Sequence, residues 1–269
     1  PVVAGTVDTF STWLGTATMR KGELCVSVGT TSSAALVWDE RIEDRSGRVS
    51  SIPHIAGSGW VMTNPMSSGG LFLDWFAGQF CGSDQQPFEA IFRAADSIPI
   101  GANGLIALPY LTGERAPIFD PRARGVFFGI TPAHTKAHFA RAILESIGFA
   151  LCDLCEAIVG IGGEIREVHL SGAAARNAVW AAIITDMLGK RTLMPQVAEC
   201  GLVGAATLAG FGVGRFETIK SAAQSLVKFR TALGPDPESH AKYSQLMELY
   251  RNLYAHLKDD FNALGFLNL

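Results

Sequence analysis

The sequence predicts an α/β domain in which a sheet is covered by helices. Short strand-like apolar runs dominate the first part of the chain, and helical periodicity alternates with strands from residue 132 onward. That order of elements is typical of α/β domains. With 48% hydrophobic and 17% charged residues among 269, the chain can bury a sizeable core, and no repeat or interdomain linker divides it.

The first part of the chain is predicted to alternate strands with short helices. The apolar run at 2–4 predicts a strand, and a short helix is expected after Asp8. Two further strands, at 24–30 and 32–38, meet at a glycine-threonine turn. The remaining predictions here are a polar surface loop at 39–51, a strand at 60–63, helices at 71–80 and 87–96, and a strand at 104–111.

The second part begins with the longest predicted helix, at 133–160, where apolar residues recur every three or four positions. A strand at 167–172 and a helix at 177–190 follow, with Gly189 as the expected C-cap. The predictions that remain are a strand at 192–195, a helix at 201–214 whose small residues favour close packing against a neighbour, and an amphipathic helix at 240–264.

Composition and charge exclude several classes of protein. A net charge of −3 gives no basic surface for nucleic acid. The sequence has neither an apolar run of about 18 residues nor the start of a signal peptide, so we expect no membrane segment. Five scattered cysteines indicate a reducing compartment, and we expect a cytoplasmic protein. Cys152 and Cys155 lie within a helical pattern and are expected to pack in the core.

Several chemical motifs are absent from the sequence. It contains no classical P-loop, no complete dinucleotide fingerprint, no zinc-protease motif and no hydrolase elbow. His134 and His138 are four residues apart on a predicted helix and could share a metal ion, but no third ligand is evident. We therefore predict a solvated helix start at these histidines, and no metal ligand in this chain.

Two strand–glycine-turn junctions have the features of phosphate sites. Gly29-Thr30-Thr31 joins two predicted strands, and the stretch from Gly172 to Asn177 joins a strand to a helix. Backbone N–H groups at such junctions can hold phosphate oxygens. Taken alone, each junction is equally well explained by a tight turn that needs glycine.

The most specific motif lies between these junctions. GVFFGI at 125–130 is followed, after seven residues, by HFARAILE at 138–145, and the pair is similar to the second signature of the FGGY family of carbohydrate kinases. The loop PYLTGERAPIFDPRARG at 109–125 resembles the Gly-Glu-Arg loop of the family, especially of its xylulokinase-like members. Further matches follow the family order and comprise VVAGTVDTFSTWLG at 2–15, CVSVGTTS at 25–32, VHLSGAAARNAVWAAIITDMLG at 168–189, and Glu199, Gly201, Gly204, Ala205 and Ala206.

This resemblance implies an actin-like ATPase (ribonuclease H-like) domain, with a mixed sheet flanked by helices. It further implies that residues 1–269 are the C-terminal, nucleotide-side domain of a two-domain sugar kinase, whose N-terminal sugar-binding domain is absent from this chain. Because half a cleft can neither exclude water nor align both substrates, we expect the isolated domain to be inactive.

The resemblance also implies roles for individual residues. Asp8 stands where the family keeps its catalytic base, although its spacing would equally suit an N-cap of the following helix. The implied contacts to the β- and γ-phosphates come from Gly29, Thr30 and Thr31, and those to the adenosine from Gly172, Ala173 and Asn177. Ala173 departs from the family's consecutive glycines, and its methyl group puts the tightness of ATP binding in question.

The implied reaction is ATP-dependent phosphorylation of a sugar hydroxyl, with a ketopentose such as xylulose as the leading substrate. ATP and Mg²⁺ are the expected cofactors, with the magnesium ligands mainly in the N-terminal domain. Expected partners are the sugar, ATP and that domain. A homodimer stays open as an alternative, but packing of the C-terminal amphipathic helix on its own domain is favoured. Two alternatives stay open: a kinase of another polyol or sugar acid (glycerol, gluconate or ribulose), and a non-catalytic actin-like nucleotide-binding module.

Overall fold

The computed structural model describes residues 1–57, 59–82 and 86–267. Within these ranges, seven strands form one mixed sheet and two more form a small antiparallel pair. The sheet contains β1 (Glu23–Val28), β2 (Ser32–Trp38), β3 (Ser50–Pro53), β4 (Trp60–Met66), β7 (Glu167–Gly172), β8 (Thr192–Pro195) and β9 (Phe229–Leu233). The small pair consists of β5 (Ile106–Pro109) and β6 (Gly125–Phe128).

The strand order in the large sheet is β3-β4-β2-β1-β7-β8-β9. β7 pairs in parallel with both β1 and β8, while every other neighbouring pair is antiparallel. The β1–β7 register places Val28 beside Gly172, so both strands end at the same edge of the sheet. The sheet is therefore mixed, as the resemblance implied, and the flanking helices complete the implied architecture.

Helices cover both faces of this sheet. Their bounds are α1 (Asp8–Gly15), α2 (Leu71–Phe80), α3 (Pro87–Asp96), α4 (Lys136–Gly160), α5 (Ala173–Arg176), α6 (Ala178–Leu188), α7 (Cys200–Gly212), α8 (Ile219–Leu226) and α9 (Pro237–Phe266), with a 3₁₀ turn at Ala102–Gly104. The predicted helices at 71–80 and 87–96 agree with the structure to the residue. Gly189 ends α6 in the left-handed region at φ 61°, as expected of a glycine C-cap.

Strand alternation divides the core between the two faces of the sheet. Leu24, Val26 and Val28 of β1 belong to the large cluster that includes the buried side chains of α4. Cys25 points the other way and packs with Trp13 of α1. This alternation follows from the period of two residues along a strand, and it leaves α1 and α4 on opposite faces.

The sequence-based assignment of elements was wrong at the N-terminus and incomplete near the C-terminus. The strand predicted at 2–4 does not form: Val2 is fully exposed, and Val3 lies against Gly212 at the end of α7. An apolar run becomes a strand only where a neighbouring strand accepts its backbone hydrogen bonds. α8 and β9 were not predicted, because both are short and largely exposed.

A buried ion pair fastens α4 to the elements around it. Arg141 Nε lies 2.6 Å from Glu145 Oε1, and both side chains are buried. Glu145 also accepts a hydrogen bond from the backbone N–H of Gly101 at 3.1 Å, while Arg141 donates to the hydroxyl of Tyr243 in α9 at 2.7 Å. Burial raises the pKa of Glu145, and Arg141 opposes that rise. These charges of the signature at 138–145 thus join three parts of the fold.

α1 and α7 pack at unusually close range. A Cβ on Gly204 would lie 1.8 Å from the carbonyl oxygen of Ser11, and one on Gly15 would lie 1.7 Å from that of Cys200. The hydroxyl of Ser11 donates to the carbonyl of Gly201 at 2.7 Å. The close packing predicted from the small residues at 201–214 is therefore confirmed, and it fixes the position of α1.

We predict that Gly204→Ala destabilises the protein, whereas Gly201→Ala does not. The new methyl at 204 must push the helices apart, at a cost of about 1–3 kcal/mol. A Cβ at Gly201 meets only Thr12 Oγ1 at 3.8 Å, an ordinary contact, and alanine improves helix propensity by about 1 kcal/mol. Urea denaturation of both variants beside the unchanged protein measures the difference; equal stability would contradict the close contact.

Candidate active site

The two glycine turns that the sequence singled out lie side by side in the structure. Gly29 directly follows β1, and Gly172 ends β7, the parallel neighbour of β1. Gly172 has φ 77°, and a Cβ there would lie 2.3 Å from the carbonyl oxygen of Val28, so the close approach of the two strand ends requires glycine. Carboxyl ends of parallel strands are the usual place for ligands in α/β sheets.

The turn at Gly29-Thr30-Thr31 is exposed at this edge. It connects β1 to β2, and the N–H of Gly29 donates to the carbonyl of Thr31 at 2.9 Å. The φ of Gly29 is not positive, and a Cβ would meet nothing closer than Thr31 O at 3.7 Å. Packing within the chain therefore does not require glycine at position 29.

Asp8 is the first residue of α1, and its side chain is exposed. Its Oδ1 accepts a hydrogen bond from the N–H of Thr9 at 2.7 Å, while Oδ2 has no partner among the described residues. The N-cap position belongs to Val7, so the alternative role of Asp8 as the N-cap of this helix is wrong. A carboxylate in the first turn of a helix remains favoured by the helix dipole.

Two neighbouring cavities flank the glycine-threonine turn. One has a volume of about 560 Å³ and contains Asp8, Thr31 and residues of β2 and β4 in its lining. The other has about 430 Å³ and contains Ala173 and Asn177. Gly29 and Thr30 line both cavities. Six of the seven predicted site residues thus line a continuous edge, and the seventh, Gly172, supports it from behind without lining either cavity.

Aromatic side chains form a wall of the smaller cavity. Phe88, Phe92 and Trp180 line it, with the Phe92 and Trp180 rings 5.9 Å apart. The two phenylalanines were not predicted from the sequence as site residues; their spacing of four on a predicted amphipathic helix was the available signal. Asn177 Oδ1 accepts from the N–H of Trp180 at 3.1 Å, so this side chain caps α6 as well as lining the cavity.

Residues at the start of α2 hold the turn from below. The N–H of Gly70 donates to the carbonyl of Gly29 at 2.7 Å, and the N–H of Leu71 donates to that of Thr30 at 3.1 Å. The sequence did not reveal this support, because the two segments are about 40 residues apart.

The opposite edge of the sheet carries the group of described residues best placed to share a metal ion. It consists of Glu23, Glu167 and His169. Glu23 accepts from Arg20 and Glu167 from Arg191, while Thr18 Oγ1 lies 3.1 Å from His169 Nδ1. Burial lowers the pKa of His169. Arginines, backbone N–H groups and one hydroxyl thus already bond to the three side chains of this group.

The other candidate residues from the sequence cap a helix, bond to a neighbouring turn or pack in the core. His138 closes a capping box with Thr135 at the exposed start of α4, and His134 bonds to Thr131. Cys152 and Cys155 are buried in the core, as predicted, and burial raises the pKa of both thiols.

The mixed sheet, with α1 and α7 on one face and α4 on the other, is that of an actin-like ATPase domain. A sequence model of a protein family, described as the FGGY family of carbohydrate kinases, C-terminal domain, matches residues 24–213. The chain therefore belongs to the FGGY family of carbohydrate kinases.

Individual relatives agree with this assignment. The chain is 33% identical to a xylulose kinase of Bacillus subtilis (strain 168) over 98% of its length and 52% of that protein. It is 28% identical to a gluconokinase of Bacillus licheniformis over 98% of its length and 53% of that protein. A ligand-bound crystal structure of xylulose kinase from Lactobacillus acidophilus superimposes with a TM-score of 0.87 at 25% identity, covering 97% of this chain and 52% of that one.

The chain thus spans about half the length of the relatives it matches. Among the residues that the structure describes, no helix combines the length and apolar character needed to cross a membrane.

Proposed function

We propose that this chain is the C-terminal, nucleotide-side domain of a two-domain, ATP-dependent sugar kinase. The observation that carries the proposal is the turn at Gly29 and Thr30, which lines both the cavity with Asp8 and the cavity with Ala173 and Asn177. A nucleotide that lies across this turn has its base on one side and its terminal phosphate on the side of the carboxylate. That is the arrangement a phosphoryl transfer requires.

The residues present fit ATP. The aromatic wall suits an adenosine, with Ala173 and Asn177 at its side. Thr30 and Thr31 are exposed, and their N–H and hydroxyl groups suit the β- and γ-phosphates. Because the fold does not require glycine at position 29, its missing side chain is explained by the close approach of a phosphate. Bound ATP supplies the phosphoryl group that is transferred.

Asp8 is the proposed catalytic base. Its unpartnered Oδ2 is available to accept the proton of a sugar hydroxyl, and the tight contact of α1 with α7 holds the carboxylate in place. A positioned base contributes about 10²–10⁴ in rate. The close packing at Gly15 and Gly204 thus serves the chemistry by restricting the motion of Asp8.

We propose that the magnesium ligands belong mainly to the other domain. Asp8 is the one acidic residue in the lining of the larger cavity among the described residues, and Mg²⁺ prefers several oxygen ligands in octahedral geometry. We expect most of the contacts to the sugar to come from that domain as well. A kinase that depends on ATP and phosphorylates a sugar is expected in the cytoplasm.

The proposed substrate is a ketopentose such as xylulose. Xylulose kinases of Bacillus subtilis and Escherichia coli are 33% and 31% identical to this chain. Gluconokinases are 28% identical, which keeps gluconate as the alternative. A coupled ADP-release assay of the full-length protein that contains this chain, with a panel of ketopentoses, polyols and sugar acids, identifies the substrate.

In that assay we expect Asp8→Asn to lower kcat about 10²–10⁴-fold while ATP still binds. The amide is nearly isosteric but cannot take the proton. Asp96→Asn, which changes an exposed carboxylate at the end of α3, serves as the matched control and should behave like the unchanged protein. Full activity in Asp8→Asn would exclude Asp8 as the base.

We expect Gly29→Ala to fold normally but to bind ATP about tenfold or more weakly, equivalent to ~1.4 kcal/mol. The methyl has room within the chain and occupies the space assigned to the phosphates. Gly160→Ala, at an exposed helix end with nothing within 4 Å of the new Cβ, is the control. Calorimetric titration with ATP distinguishes the two; unchanged affinity in Gly29→Ala would argue against a phosphate at this turn.

The purified 269-residue chain should show no significant sugar phosphorylation, because one side of the cleft cannot hold both substrates in line. The ADP-release assay of the isolated chain beside the full-length protein tests this expectation. Robust turnover by the isolated chain would contradict the proposed division into two domains.

A further inference from the structure

A buried carboxylate outside both cavities is bonded to the segment that supports the glycine-threonine turn. Glu114 is 4% exposed and lines neither cavity. Its carboxylate accepts hydrogen bonds from three backbone N–H groups, those of Ser67, Ser68 (3.1 Å) and Arg115 (2.7 Å). Both oxygens therefore act as acceptors, which suits the ionised form. Burial raises the pKa of Glu114, while these donors act in the opposite direction.

The segment that Glu114 binds leads directly into the turn. After Ser67 and Ser68 come Gly69 and Gly70, whose backbone lies against the turn. A Cβ on Gly69 would lie 2.7 Å from the carbonyl oxygen of Thr30 and 2.8 Å from the Cα of Thr31. These close contacts, together with the hydrogen bonds that Gly70 and Leu71 donate to the carbonyls of the turn, hold the segment tightly against the turn.

Two further hydrogen bonds fix the same segment to the loop that carries Glu114. The guanidinium of Arg115 donates to the carbonyl of Met66 at 2.9 Å, and the hydroxyl of Ser68 donates to the carbonyl of Pro109 at 3.3 Å. The segment from Met66 to Leu71 is thus held by Glu114 and its neighbours on one side, and it holds the turn on the other.

We propose that Glu114 is a positioning residue that holds Gly29-Thr30-Thr31 in its phosphate-binding shape through the Ser67–Leu71 segment. This inference rests on the proposed function. Loss of the carboxylate should weaken contacts to the β- and γ-phosphates and leave contacts to the adenosine unchanged. The residues assigned to the adenosine, namely the aromatic wall with Ala173 and Asn177, lie in α3 and in the α5–α6 region, although the turn and Gly70 also line the smaller cavity.

The test compares the affinities of the full-length protein for ATP, ADP and AMP by calorimetric titration. In Glu114→Gln, an NH₂ group replaces one carboxylate oxygen and faces a backbone N–H that had donated a hydrogen bond to that oxygen. Because two donors cannot bond to each other, the segment must shift. We expect ATP and ADP to bind about tenfold more weakly and AMP to bind as in the unchanged protein, with a raised KM for ATP.

Glu145→Gln is the matched control. Glu145 is also buried and also accepts a backbone N–H, that of Gly101, but it lies in the network with Arg141 and Tyr243. This variant should lower the melting temperature without changing the ratio of ATP to AMP affinity. A general loss of stability is thereby distinguished from a specific effect on the turn.

A second variant tests the same path from its other end. Gly69→Ala forces a methyl against Thr30 and Thr31, and should reproduce the selective loss of ATP and ADP binding. Gly78→Ala, on the exposed side of α2 with nothing near the new Cβ, should not. If Glu114→Gln does not fold, Gly69→Ala decides the question.

The inference is overturned if folded Glu114→Gln keeps the ATP-to-AMP affinity ratio of the unchanged protein. The ratio is kept if both affinities stay the same or if both fall by the same factor. If Glu114→Gln does not fold, the same criterion applies to Gly69→Ala. An unchanged protein that binds no ATP overturns the proposed function itself. The two failures are therefore distinct.

Discussion

The parallel pairing of β1 with β7 is the constraint on which the candidate site depends. It brings Val28 beside Gly172, so that the turn after β1 and the junction after β7 share one edge of the sheet. Because the fit at Gly172 leaves no space for a Cβ, the two strand ends cannot separate or slide without breaking this contact. Both cavities, and the turn between them, follow from that one register.

Close backbone contacts at glycines likewise fix the positions of the helices next to the site. Gly204 and Gly15 let α7 approach the backbone of α1, and Gly69 lets the start of α2 approach the turn. Van der Waals contacts between backbones are stiffer than contacts between long side chains, because backbones lack rotamers that could absorb a shift. Asp8 and Thr30 are thus placed by backbone packing rather than by their own side-chain bonds.

The sequence was sufficient to predict most elements and both glycine turns, since apolar periodicity and turn chemistry are local. It could not show that the turns at Gly29 and Gly172 lie side by side, because the pairing of β1 with β7 joins strands far apart in the chain. Likewise Phe92 reads as a core residue of an amphipathic helix, and only the position of α3 beside Trp180 places it at a cavity. The strand at 2–4 failed for the converse reason: Val2 has the right composition but no strand beside it.

The signature residues that are most specific to the family lie away from the residues proposed to carry the chemistry. Arg141 and Glu145 lie in the most specific motif of the chain, yet their bonds go to Gly101 and Tyr243, away from both cavities. A buried ion pair tolerates few substitutions, because removing one partner leaves a charge unpaired. The motif that identifies the family thus stabilises the central helix, while the residues proposed to act on ATP and sugar lie in short turns that identify little by themselves.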